Sequence, residues 1–397
     1  MKFQHALMPP PAASGAGPVY FLDWLTSVLT PAAEARSEKV FEHLLRVAAP
    51  LGRLKTTPQT PPFHAEGDFV VDHVKRMLAG LGAFESGATL AQIEELVREK
   101  DFVLELQALE QMLKTQTAFL SAYAVCHDLA KSDALAFSAL PGSRGEAEGF
   151  TPHSLMATEP MKIRYDKLRR AHAATGATPS FYDAYGIAVH YPHHASHSAS
   201  DEYASTRAAV LEALAIPAAM SKLLTELIRC HLGVIQTFSQ GSDPVKYRAL
   251  AAISERAGIN STVFLDFLPA IIFTDAVLGS LVYVNRVPRV ELQTLLNVFK
   301  SEREAMPERH SAREEAVRRG KKTALREALK EAQIDADTVF DLLKTPYGPV
   351  RGEVMAKVHD LIRDPERKAN FGELTNELRR RARLAQKFLH DRHLTLD

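Results

Sequence analysis

The chain has 397 residues, 46% hydrophobic and 24% charged, which excludes a disordered protein and gives one large or two modest globular domains. Lys plus Arg and Asp plus Glu number 48 each, so the net charge is zero and no broad electrostatic drive toward nucleic acid or anionic membrane exists. Two cysteines, Cys126 and Cys230, exclude a disulfide framework, and packing is the reading preferred for both over thiolate ligation.

In chain order, residues 1–20 are Pro/Ala/Gly-rich and read as a flexible terminus lacking the apolar run of a signal peptide, so a cytoplasmic protein is expected. N-terminal helices follow over 21–60, with apolar positions three and four apart in Phe21–Leu29 and Ser37–Ala49, until KTTPQTPP (Lys55–Pro62) breaks the pattern. A helix over Asp68–Leu81 comes next. Thr89 and Gln92 predict a capping box for a long run, Leu90 to about Lys131, read as two helices. Leu140–Gly149 reads as a mobile polar loop, and His153–Ser200 shows no clear period. Helices resume over Ser205–Leu214, Pro217–His231 ending near Gly233, Tyr247–Gly258 and Val263–Val284. That last stretch approaches membrane-span length, but Asp266, Pro269 and Asp275 mark it as buried core, and no membrane partner is expected. Residues 291–397 form a charge-dense helical extension, interrupted by KTPYGPVRGE (Lys344–Glu353), whose apolar stripes suit packing within the chain or a homodimer. No alternating strand pattern or repeat is found, so the expected class is all-α, a helical bundle over 61–290 between the N-terminal helices and the C-terminal extension.

The informative residues are ionisable groups on faces that should be apolar. His73 shares a helical face with Phe69 and Met77, and His127 shares one with Leu120, Tyr123 and Ala124 and is followed by Asp128. His231 lies with Leu224, Leu227 and Ile228, and Asp275 with Leu268, Ile271, Ile272 and Leu278. Each unpaired buried polar group costs roughly 1 to 3 kcal/mol, so several would undermine a domain worth about 5 to 15 kcal/mol unless they share a partner. A divalent cation is the simplest shared partner, and imidazole with carboxylate suits Mn, Mg, Fe, Co, Ni or Zn.

These residues carry a family resemblance. The chain resembles the HD-domain superfamily of metal-dependent phosphohydrolases, whose signature is a His on one helix, a His-Asp dyad on the next and a distant Asp on a later one, here His73, His127 with Asp128, and Asp275. HDLAK (His127–Lys131) is similar to the family's HD-x-G-K form with Ala130 in place of Gly, and FHAEGDFVVDH (Phe63–His73) is similar to its H-x-E-G-D opening. The resemblance covers residues 60–290 and implies a helical bundle around one or two metal ions. Two-metal members add His ligands between the dyad and the final Asp. His190 in AVHYPHH and His231 in LIRCHLG are included here as second-metal ligands, with His194 ranked behind them and His193 and His197 nearby. Their spacing forms one stripe if Pro192 opens a helix, and is equally consistent with a solvated loop.

The implied reaction is hydrolysis of a phosphoester by a metal-activated water, on a nucleotide or other small phosphorylated molecule. Asp128, Lys131, His64 and Glu66 are the candidate catalytic groups. Lys131 would offer a cation to phosphate or serve as a snorkelling surface residue. His64 or Glu66 would donate a proton or brace a ligand, Glu66 alternatively compensating a helix N-terminus, while Asp72 and Asp68 face solvent or lie behind the ligands. The alternatives are a non-catalytic HD scaffold that binds a nucleotide or protein partner and, less favoured by the neutral charge, a nucleic-acid-processing HD nuclease. RRGKKT (Arg318–Thr323) lacks the glycine and strand of a phosphate loop, and it and RRRAR (Arg379–Arg383) read as exposed helix faces.

Overall fold

The structure is a computed structural model that describes residues 20–61, 64–97, 103–177, 179–239, 244–280, 291–305 and 340. The chain divides into two compact units, Met1–Arg303 and Glu304–Asp397. The described residues belong almost wholly to the first, so the N-terminal segment, KTPYGPVRGE, RRGKKT and RRRAR lie outside them.

Helices dominate, as the periodicity predicts. α1 (Phe21–Val28) buries Trp24, whose indole N–H donates to Thr89 O at 3.1 Å. α2 (Pro31–Val47) begins where Thr30 accepts from the Ala33 N–H and Pro31 presets the first turn. A 3-10 turn over Ala49–Lys55 follows, and the Pro-rich stretch after it folds back on itself: Gln59 N–H donates to Asp68 O and Val70 N–H to Thr57 O. The resulting strap, made by residues 57–61 and 64–69, delivers the chain to α3 (Val70–Glu85), which packs on α2.

The predicted long run from Leu90 is cut into short pieces. After a 3-10 turn at Leu90–Gln92 come α4 (Glu94–Val97), α5 (Val103–Thr115) and α6 (Thr117–Cys126). Thr89 does cap the first turn, but a carboxylate from α5, Glu110, takes the Leu90 N–H at 2.8 Å. A 3-10 turn at Leu129–Ser132 closes this part.

The aperiodic region is folded rather than a loop. Strands β1 (Ala136–Ala139), β2 (Leu155–Met156) and β3 (Ile187–His190) make an antiparallel sheet in the order β2-β1-β3, with Ala136 opposite both Met156 and His190. With α7 (Arg144–Ala147), α8 (Glu159–Ala174) and α9 (Phe181–Tyr185) it encloses a small core of Phe137, Phe150, Tyr165, Phe181, Tyr185 and Ile187. Strands this short carry no readable alternation. Gly186 ends α9 at φ +68°, where a Cβ would also meet Ser143 Cβ at 2.7 Å.

The chain returns to helix in α10 (His194–Ser198), α11 (Ala204–Ala213), α12 (Ser221–Ser239), α13 (Pro244–Ala257) and α14 (Ser261–Ile272). α12 runs through Gly233 instead of stopping there, since its apolar face continues to Val234 and Phe238. α14 begins at an Asn260 cap and passes at Phe273–Gly279 into a π-helical turn beyond Pro269. Among the described residues, Ser261–Gly279 is the stretch apolar and long enough to span a membrane, and 83% of its window is buried inside the fold. The all-α class holds, with one small sheet among the described residues.

Candidate metal centre

His73 enters from α3, whose core face, Val70, Val74 and Met77, is fully buried. Its Nε2 lies 3.2 Å from Asp275 Oδ1 and its Nδ1 3.1 Å from Glu66 Oε1, so the ring is clamped between two carboxylates. His127 is the residue that ends α6 rather than a mid-helix position, and Asp128 follows in the turn. His127 Nε2 stands 3.1 Å from Asp128 Oδ2 and 3.5 Å from Asp275 Oδ2. His194 from α10 approaches the other oxygen, Nε2 to Asp128 Oδ1 3.2 Å, and His231 from α12 places its ring centroid 5.3 Å from that of His194.

Three of the histidines share one orientation. The Nδ1 of His127 meets Ala124 O at 2.9 Å, that of His194 meets Tyr191 O at 2.7 Å, and that of His231 meets Ile228 O at 2.6 Å. A carbonyl oxygen only accepts, so Nδ1 carries the proton, and in the neutral ring Nε2 keeps the lone pair. Those nitrogens point into the cluster. Both Asp128 oxygens and His194 Nε2 are buried without a hydrogen-bond partner among the described residues, although charged neighbours stand within ion-pair distance. Donors aimed at a common point rather than at one another are what a cation site requires.

Two wholly buried ligand sets result, beside a third, partly buried group of His64, Glu66 and His73. His73, His127 and Asp275 bring donor atoms within 4.8 Å of one another, as do Asp128, His194 and His231, and Asp128 touches both sets through its two oxygens. Buried His and Asp clusters of this kind can hold a metal ion. No family model matches the chain, and no match to it was found among curated proteins or solved structures. The donor chemistry admits any borderline divalent cation: imidazole suits Zn, Fe, Co or Ni, and the carboxylates extend the range to Mn and Mg.

The surroundings set the charge states. Burial pushes His231 down from 6.5 to about 3, helped by the neighbouring His127 and His194. Burial would also lower His73, but Asp275 and Glu66 overcome it and hold the ring up at about 10. Asp128 and Asp275 lie below the usual carboxylate range because neighbouring cationic and imidazole groups outweigh their burial, His127 foremost for both. Tyr123, fully buried and stacked on His127, donates its hydroxyl to Asp275 Oδ2 at 3.0 Å, and burial raises its pKa well above the usual value. Tyr123 is visible in the sequence only as an apolar neighbour of His127.

The other sequence-predicted residues fall as follows. Lys131 is 3% exposed and so not a surface residue: Nζ is 2.7 Å from Asp128 Oδ2, 3.2 Å from His64 Nε2, and 4.8 Å from the Tyr191 ring centroid. His64 Nδ1 meets Glu66 Oε1 at 2.8 Å, and burial, then Lys131, lowers His64 to about 4. Glu66 therefore braces His73 and His64 instead of compensating a helix N-terminus. Asp72 caps α3 by accepting the Phe69 N–H at 3.0 Å, and Asp68 pairs with Arg169. His190 is not brought to the cluster. It ends β3, where Nε2 meets Ser138 Oγ at 2.7 Å, and the turn after it hands the position beside Asp128 to His194. His193 and His197 lie outside both ligand sets. Cys126 and Cys230 are free and buried, with thiols pushed up to about 12 by burial, as packing residues should be.

The π-helical turn sets the final carboxylate, and its last residue explains why no side chain is tolerated there. A Cβ on Gly279 would stand 2.6 Å from His73 Cε1 and 2.6 Å from Met77 Cγ. Gly279→Ala is therefore expected to displace His73, lowering stability by about 1 to 3 kcal/mol and weakening cation retention, as denaturant unfolding and elemental analysis would show. Unchanged values in both would mean that the helices yield without moving the ligand.

Proposed function

We propose that the chain is an HD-type metal-dependent phosphohydrolase that hydrolyses a phosphoester of a nucleotide or other small phosphorylated molecule. The observation that carries this reading is the set of three histidines with Nδ1 committed to backbone carbonyls, two of which turn Nε2 to Asp128 while His231 shares the group of Asp128 and His194. His73, His127, Asp275, Asp128, His194 and His231 would hold one or two divalent cations. A cation held there would lower the pKa of a bound water and stabilise charge on a phosphoryl oxygen.

Electrostatics favour an anionic substrate. Glu66, Asp128 and Asp275 are three carboxylates against Lys131, so two divalent cations would leave the cluster positive. Lys131 serves by holding Asp128. His64, whose side chain is 19% exposed against 9% or less for the ligand side chains with printed values, is held neutral and is the ring placed to accept a proton from the attacking water.

Metal-loaded protein is expected to hydrolyse bis-p-nitrophenyl phosphate or members of a nucleotide panel and to lose that activity on chelation. His64→Gln should lower kcat by about 10² to 10⁴ while keeping its metal content. A second reading, an ion that only ties the bundle together, is favoured by the near-complete burial of the ligands. Metal bound at stoichiometric level with no turnover across the panel would select it and end the enzymatic proposal.

A further inference from the structure

Arg207 is a buried cation that the proposed chemistry does not use. It lies on α11 at 3% exposure, and its hydrogen bonds go to backbone: one Nη donates to Ser198 O at 2.6 Å and to Ser200 O at 2.9 Å, while Nε is buried without a partner among the described residues. Sinking a guanidinium among carbonyls is unfavourable, so the reason lies in what those carbonyls belong to. They form the C-terminal end of α10 and the residues just after it.

α10 cannot hold itself. It has five residues, fewer than an isolated helix needs, and its N-cap His193 sits at φ +60° with no side-chain cap. His194 and Ser198 are four residues apart and so share a face. His194 Nε2 reaches Asp128 Oδ1 at 3.2 Å, and Ser198, fully buried, accepts the Ala130 N–H on Oγ at 3.0 Å. Ala130 lies between Asp128 and Lys131 in the dyad turn. The helix is thus fastened to that turn by Ser198 from one side and gripped by Arg207 from the other, where a cation also suits a helix C-terminus.

We infer that Arg207 and Ser198 are positioning residues for the second cation: they fix α10 against the dyad turn and so determine whether Asp128, His194 and His231 close on an ion, leaving the set of His73, His127 and Asp275 unaffected. This rests on the metal reading proposed above.

The test uses the full chain with Arg207→Met, Arg207→Lys and Ser198→Ala, by elemental analysis during manganese titration and by amide hydrogen exchange in metal-free protein. Wild type should hold two ions. Arg207→Met and Ser198→Ala should keep one and bind the second at least about tenfold more weakly, with Arg207→Lys in between. Exchange should quicken at 129–132 and 194–199 but not at 70–85 or 117–126. Two ions retained at unchanged affinity, or both lost together, would overturn the inference while leaving the metal reading in place. Wild type without any ion would instead overturn the metal reading, and unchanged exchange at Ala130 in the variants would then dispose of the clamp as well. Should Arg207→Met fail to fold, Ser198→Ala removes one oxygen and decides alone.

Discussion

Asp128→Ala is expected to empty both ligand sets and to destabilise the protein even when no metal is present. The carboxylate touches His127 through one oxygen and His194 through the other, so its loss breaks the two sets together. It is also the carboxylate against Lys131, 2.7 Å away and buried. Removing one member of a buried ion pair strands the other, which costs about 3 to 5 kcal/mol. Adding Lys131→Met to Asp128→Ala should recover most of that stability and none of the cation binding. Denaturant unfolding of the metal-free proteins measures the first effect and elemental analysis the second. Asp128→Ala that retained metal, or that unfolded like wild type, would contradict the assignment.

The second large effect is on pH. His231 at about 3 and His64 at about 4 both lie below the ordinary imidazole value of 6.5. The unfolded chain therefore binds protons that the folded chain refuses, and stability falls as pH drops below 6.5, by about 1.4 kcal/mol per pH unit for each ring. Below the ordinary carboxylate range Asp275 and Glu66 act in the same direction: both are held low, so their contribution, complete above that range, is lost as acid increases. His73 runs the other way. Raised to about 10, it stabilises the fold below 6.5 and that contribution is lost as pH climbs toward its folded value. Metal-free protein should thus be most stable near neutrality, and urea unfolding in chelator from pH 4 to 9 would show the maximum. His231→Gln should flatten the acid limb by one proton. A limb already flat in wild type would mean that these rings are solvated.

How much of this was legible beforehand depended on helix length. His73, His127, Asp275 and His231 stand out because each interrupts an apolar face that spans two or more turns. Asp128 was legible through its neighbour. His194 ranked only behind His190, because a four-residue strand and a five-residue helix are too short to show a period, and His190 in the same cluster of histidines is the more conspicuous. The small sheet was hidden for the same reason, and the π-helical turn at Asp275 looks in sequence like ordinary continuation of α14. Glu66 was marked by its motif, but its contact with His73 Nδ1 depends on the strap closing through Gln59 and Asp68, which no local pattern announces.

His73 and Asp275 are 202 residues apart in the chain and 3.2 Å apart in the fold. An ion gripping both would cross-link the polypeptide around a loop holding most of the first unit, as a disulfide of very long span would. The entropy such a link withdraws from the unfolded ensemble grows only slowly with loop length, yet its formation has to wait until α3 and the end of α14 have met. Loading would therefore come late in folding, as the event that locks an assembled bundle, and escape of the ion would come before global opening.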